Sequence, residues 1–160
     1  MEINVTLLTE DLISFVHDVF EQNIEILHGS PISESVWYEY ALGEKADPYE
    51  THFIILADEK PAAWLKINGL NSDVICISML VVDDAYKRRG IGSFALKYTE
   101  EYAEKQGKKT ILIQTTTDNI PATQCYLKHG YKIIKEMKYT VGDDILRDGY
   151  EFSKNLQNTK

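Results

Sequence analysis

Cysteine is scarce in this chain. Its 160 residues include two, Cys76 and Cys125, with no CxxC pair and no metal-type spacing beside either. That argues against a disulfide framework or a cysteine-built metal centre, and suits a reducing cytoplasm. No metal is expected. Long apolar runs are missing too, and none approaches the roughly 20 residues of a membrane helix. The opening Met1-Glu2-Ile3-Asn4 lacks the basic and apolar regions of a signal peptide, so no membrane partner is expected. Positive charge is in deficit, with 17 Lys plus Arg against 25 Asp plus Glu and a net charge of −8. Nucleic acid is therefore a poor partner, and a cationic one such as an amine a better one. Acidity that only maintains solubility would look the same. There is no internal repeat, low-complexity tract or Pro/Gly-rich linker. The length suits one domain over residues 1–160, with enough chain for a full core.

What is present alternates between strand and helix patterns. Ile3 to Leu8 reads as a first strand. Thr9 is placed to cap a helix whose first turn carries Glu10 and Asp11, where negative charge suits the dipole. Leu12, Val16, Val19 and Ile24 carry that helix into the mid-20s, until Gly29-Ser30-Pro31 breaks it. A shorter helix covers Ser33 to Leu42. Strands follow at Thr51 to Ala57 and Ala62 to Ile67. Val74 to Val82 is a long β-branched run, the best candidate for a central strand. Ile91, Phe94, Ala95, Tyr98 and Tyr102 then share a helix face that ends near Gly107. Thr110 to Thr115 is a strand, Asn119 caps a helix that stops at Gly130, and Tyr131 to Thr140 with Ile145 to Lys154 close as a hairpin. The expected fold class is α/β: a mixed, mostly antiparallel sheet with about four helices on both faces.

The segment Lys87-Arg88-Arg89-Gly90-Ile91-Gly92-Ser93 sits between the central strand and a helix and holds two of the chain's three arginines. Glycines let a backbone turn tightly and approach a ligand. The first N–H groups of a helix lack internal acceptors and lie at the positive end of its dipole, which favours phosphate. A GxxxxGK[ST] loop does not occur. Gly90-x-Gly92-x-x-Ala95 fits a GxGxxA dinucleotide fingerprint. However, polar residues intervene after Val82, and no acid stands on the later strand, where Gln114 and Thr115 occur. The remaining option is the diphosphate loop of an acyl-CoA-binding domain.

Two motifs together carry a resemblance. Lys87-x-x-Gly90-x-Gly92 resembles the [Q/R]-x-x-G-x-[G/A] signature of the GNAT superfamily of N-acetyltransferases, with Lys87 in place of Gln or Arg. Asn119-x-x-Ala122-x-x-x-Tyr126-x-Lys128-x-Gly130-Tyr131 resembles the segment that follows it in the same family. The match is specific over residues 74–135 and rests on element order elsewhere.

The resemblance implies a GNAT-like acyl-CoA N-acyltransferase fold and an acetyltransferase that uses acetyl-CoA as co-substrate. The Val74–Val82 and Thr110–Thr115 strands would splay, with pantetheine lying between them. Main-chain groups of Leu80, Val81 and Val82 would bind it, with an N–H near Leu80 polarising the thioester carbonyl. Lys87, Arg88, Arg89, Gly90, Ile91, Gly92 and Ser93 would hold the diphosphate. Tyr126 is the implied acid for the leaving thiolate, and Asn119 either contacts pantetheine or only caps its helix. The glutamate that many members carry on the strand before the loop is missing from Ile77-Ser78-Met79-Leu80, so a water wire past Ser78 is expected in its place.

Other acids and bases are weaker candidates: Glu34, Glu39, Glu50, His28 and His52 lie in the region that builds the acceptor site in similar proteins. Trp37, Tyr38 and Tyr40 either attract a cation through their ring faces or pack a core. Cys125 suggests a covalent acetyl-cysteine route or a plain buried helix residue. The acceptor is expected to be a small cationic amine. Alternatives are a protein N-terminal or lysine acetyltransferase, a non-catalytic acyl-CoA sensor, and a nucleotide-binding regulatory domain. Similar proteins often dimerise through their closing strands, so a homodimer is an expectation of the resemblance alone.

Overall fold

The apolar run of the fourth strand organises the molecule. In the computed structural model, which describes residues 1–156, that strand is β4 (Val74–Val82). It stands in a seven-stranded sheet of order β1-β2-β3-β4-β5-β7-β6, with β1 (Ile3–Leu7), β2 (Glu50–Ala57), β3 (Lys60–Asn68), β5 (Thr110–Thr116), β6 (Lys132–Thr140) and β7 (Leu146–Asn155). Five of the six pairings are antiparallel and only β4 with β5 is parallel. The expected mixed sheet is therefore present.

Helices cover both faces. On one, α1 (Ile13–Gln22) buries Val16, Val19 and Phe20 against Ile54, Trp64 and Val81, joined by Trp37 of α3 (Glu34–Ala41). On the other, α4 (Ile91–Lys105) sets Leu96 and Ala103 against Phe53, Leu65, Ile75 and Ile111, with Tyr126 of α5 (Ile120–Lys128) and Tyr131 beside them. Burying a side chain the size of Leu or Phe contributes about 1.5–3 kcal/mol, so these two layers supply most of the stability.

Two local expectations need correction. Thr9 does not cap a helix with its side chain; its hydroxyl goes to the Asp11 carboxylate, and Glu10–Leu12 form a short 3-10 turn before α1. The first helix does not run unbroken into the mid-20s. Asn23 interrupts it, because its side-chain amide donates to Val19 O at 2.8 Å, leaving α2 (Ile24–Leu27) as a separate turn. A short polar side chain competing for helix carbonyls has this effect. Asn119 does cap as expected, accepting from Ala122 N at 3.3 Å; Ser33, not singled out as a cap, accepts from Val36 N at 3.3 Å.

Candidate active site

The site begins where β4 and β5 part. They pair only from Val74–Thr110 to Ile77–Ile113. Beyond that point β4 stays with β3, β5 stays with β7, and a slot opens between Ser78–Val82 and Gln114–Thr116. The cause lies in one residue. Lys66 pairs with Met79 and Ile67 with Ile77, so Ser78 is an extra residue bulged out of β4. A one-residue bulge bends a strand and exchanges the faces of everything beyond it. Ile75 and Ile77 point to the α4 side, whereas Met79 and Val81 point to the α1 side.

The bulge also aims the main chain. Asp83 N–H donates to Ala62 O at 2.8 Å, so residue 83 faces β3. Alternate residues of a strand direct their N–H to opposite sides, which turns Val81 and Met79 toward β3 and Leu80 and Val82 toward the slot. Leu80 and Val82 thus present their polar main chain to the slot. Val81 does not: its main chain faces β3 and its side chain, 3% exposed, packs under α1.

At the end of the slot stands the glycine loop. Gly90 is the N-cap of α4 with φ +85°, a left-handed conformation that glycine adopts without strain. Among the described residues, no acceptor meets the backbone N–H groups of residues 88 to 93, and the first helical bond is Phe94 N to Gly90 O. A Cβ at Gly90 or at Gly92 would meet no protein atom within 4 Å. The loop is a bare cradle of donors at a helix tip, which fits the diphosphate of coenzyme A.

The side chains around it divide. Lys87 is held, its ammonium 2.7 Å from Asn23 Oδ1 and 2.8 Å from Asp84 Oδ1. These bonds tie α1 to the loop. Arg89 lies over the Tyr86 ring at 5.2 Å and donates to Ala85 O at 3.4 Å. Arg88 is exposed, with a left-handed φ of 60°. Ile91 is buried in the core, 1% exposed, so only its N–H is available. Ser93 Oγ lies 2.8 Å from His129 Nε2, joining the tip of α4 to the end of α5.

Tyr126 lies on the α4 side of the sheet, in the core. Its ring packs edge-on against Phe152 at 5.3 Å, and no described residue hydrogen-bonds its hydroxyl. Burial above all, then Cys125 and Tyr139, push its phenol well above the ordinary tyrosine value. The group is therefore a neutral donor at every working pH. Cys125 beside it is raised by burial too, which opposes the thiolate that an acetyl-cysteine route needs.

On the opposite face lies a cleft of about 520 Å³, with Cys76, Ile77, Ser78, Met79, Leu112 and Gln114 among its floor residues. Its walls come from Phe20, Leu27, Gly29, Ser30 and Ile32 and from Tyr139, Val141 and Gly142 of the closing hairpin. Ser78 is exposed there, its hydroxyl 3.4 Å from Lys66 O. Tyr139 was not singled out by the sequence; its place on an alternating strand is its only local signal. The other candidate bases are spoken for. His28 Nε2 is 2.8 Å from Asp118 Oδ2, Glu39 is 3.5 Å from Lys45, and Glu50 holds both His52 at 3.1 Å and Lys66 at 3.4 Å. Glu34 is an exposed first-turn residue of α3. Trp37, Tyr38 and Tyr40 do not form one cage. Trp37 packs edge-on between Phe20 and Trp64, both at 5.1 Å, while Tyr38 and Tyr40 are exposed.

The slot and the cleft share Ser78, Met79 and Gln114, and the comparisons agree with that geometry. The family model described as the acetyltransferase (GNAT) family matches residues 16–131. The chain belongs to the GNAT acetyltransferase family. Streptothricin acetyltransferase of Escherichia coli is 20% identical over 95 residues, 59% of this chain and 55% of that protein. N-alpha-acetyltransferase 30 of Dictyostelium discoideum is 34% identical over 73 residues, 44% of this chain and 40% of that protein. The chain thus spans about half the length of the curated relatives it matches. A Salmonella typhimurium acetyltransferase solved with its cofactor acetyl-CoA superposes with TM-score 0.75 at 13% identity, covering 98% of this chain and 95% of that one. Among the described residues no helix is long and apolar enough to cross a membrane, and no group of His, Cys, Asp and Glu could hold a metal ion.

Proposed function

We propose that this GNAT protein transfers the acetyl group of acetyl-CoA to a primary amine of a small molecule. The observation that carries this reading is the parting of β4 from β5 beyond Ile77, beside a helix tip whose donors at residues 88 to 93 are free. Acetyl-CoA supplies the thioester. The amides of residues 88 to 93 hold its diphosphate, with Asn119 near the slot and the Arg88 and Arg89 charges adding attraction. Leu80 and Val82 bond pantetheine through their main chains.

The amine enters from the cleft and reaches the thioester through the slot, opposite Tyr126. Its nitrogen attacks the carbonyl carbon while the Leu80 N–H stabilises the developing oxyanion. An alkylamine has a pKa near 10, so about one molecule in 10³ is neutral at pH 7. Its proton leaves along water past Ser78. The carbon–sulfur bond then breaks, Tyr126 donates to the departing sulfur, and the products are an amide and free coenzyme A. Because burial raises the Tyr126 pKa, its contribution is a hydrogen bond that strengthens as negative charge grows on sulfur.

A CoA-release assay over a panel of primary amines tests this. Tyr126→Phe is expected to lower kcat by roughly 10²-fold with the KM for acetyl-CoA little changed. Equal rates would remove Tyr126 from its role, and acetyl-CoA binding with no turnover of any amine would favour a sensor.

A second reading, acetylation of protein N-termini, is favoured by the 34% identity to N-alpha-acetyltransferase 30. Turnover of N-terminal peptides in the same assay separates the two. The reading includes one cytoplasmic domain over residues 1–160 and a homodimer through the closing strands, where Ile133, Ile134 and Leu146 stand 41%, 56% and 62% exposed. Molar mass by light scattering checks the dimer.

A further inference from the structure

The cleft contradicts the polyamine that the chain's acidity invites. We propose that the acceptor is a small monoamine with an apolar body, an aryl- or alkyl-substituted primary amine carrying no second charge. This rests on the acetyltransferase reading above and names the substrate class of that same site.

The argument starts from the lining. Among the described residues, none of the side chains that line the cleft is charged. Phe20, Leu27, Ile32, Met79, Leu112 and Val141 supply an apolar wall, and the polar groups are hydroxyls, amides and one thiol. The protein carries a net charge of −8, yet none of that excess sits on a lining side chain.

Four carboxylates adjoin the lining by register or loop, and each is already engaged. Glu50, opposite Asn68, holds His52 and Lys66. Glu151, opposite Gln114, accepts its amide at 2.8 Å. Asp118 accepts from Thr116 at 2.6 Å and pairs with His28. Asp143, next to Gly142, pairs with Arg147. A second ammonium in the cleft would lose water against the apolar walls and meet no carboxylate among the lining side chains, a penalty those walls cannot offset. An apolar body gains from the same walls.

The outer wall limits size. Two loops that border the cleft touch each other: Ser30 Oγ donates to Gly142 O at 2.6 Å, and Gly29 Cα lies 2.9 Å from where a Cβ on Gly142 would stand. Main chains that close leave a pocket, not a groove for a polypeptide. A volume of about 520 Å³ is ordinary for one small molecule.

The test is kcat/KM by CoA release for hexylamine and 2-phenylethylamine against spermidine and a hexapeptide beginning Met-Leu. All four probes are primary amines, and the pKa of each is corrected to the neutral fraction. The apolar monoamines are expected to lead spermidine by at least about 10²-fold. Val141→Asp, a loop residue facing the cleft, is expected to narrow that ratio by about tenfold or more with an unchanged Tm. Spermidine or the peptide leading would overturn this inference and leave the acetyltransferase reading standing. Acetyl-CoA bound but no probe turned over would overturn both. If V141D does not fold, the wild-type ranking alone decides.

Discussion

Gly90 and Gly92 stand two residues apart in the same loop, yet their replacement should have opposite effects on stability. Gly92 lies in the first turn of α4 with an ordinary helical backbone, and a Cβ there would touch nothing within 4 Å. Alanine is a better helix former than glycine by up to about 1 kcal/mol, less in a first turn, so Gly92→Ala should leave Tm unchanged or raise it by about 2–4 °C. The same methyl would occupy the space above the free N–H groups, where the proposed function puts the diphosphate of coenzyme A. A hydrogen bond to a charged group is worth about 1.5–3 kcal/mol, so displacing the anion from one donor weakens binding by about tenfold or more. Gly92→Leu, with a longer side chain, should weaken it by about 10²-fold or more on the same basis. Gly90 has φ +85°, and alanine there costs roughly 1–2 kcal/mol of strain before any ligand is considered. Thermal melting and calorimetric titration with acetyl-CoA read the two effects separately. Gly92→Leu that binds acetyl-CoA as the wild type does, with its Tm unchanged, would refute the cradle. Gly92→Leu that fails to fold would refute the claim that the space is open.

Lys87→Met should lower Tm by several degrees, because it removes the 2.7 Å bond to Asn23, and should raise the KM for acetyl-CoA less than threefold; a large KM effect at constant Tm would put Lys87 back on the phosphate. His52 is buried, and desolvation outweighs the pull of Glu50, so its folded pKa lies below the unfolded value near 6.5. The unfolded chain takes up the proton first, so His52's contribution is complete above about pH 6.5 and is lost as pH falls through the folded pKa; the fall of Tm between pH 7 and 5 should be shallower in His52→Gln. Tyr126 stays protonated through the ordinary tyrosine range. With an alkylamine, kcat/KM should therefore rise about tenfold per pH unit up to the amine's own pKa, with no falling limb below about pH 10. A limb that disappears in Tyr126→Phe would contradict its burial.

Much of the fold was legible because its signals are local. Val74–Val82 was bounded correctly from its β-branched run. Asn119 accepts the capping bond its position implied. The loop that ends at Gly90-Ile91-Gly92 announces a donor-rich turn by composition alone, and the family follows from its spacing to Asn119 and Tyr126. The errors arose where one side chain chose between local and distant partners. Asn23 broke a periodic helix by bonding Val19, and Thr9 turned its hydroxyl to Asp11 instead of capping.

What the order of residues determined, then, was the set of elements, the glycine loop at a helix tip and the family, since these depend on neighbours a few positions apart. Only the tertiary structure decided where β4 leaves β5, because a bulge at Ser78 exists solely by comparison with the register of β3. It alone decided the character of the acceptor cleft. That surface is assembled from segments up to 122 residues apart, Phe20 to Gly142, and its lack of charge comes from carboxylates turned toward partners that no local pattern connects to them.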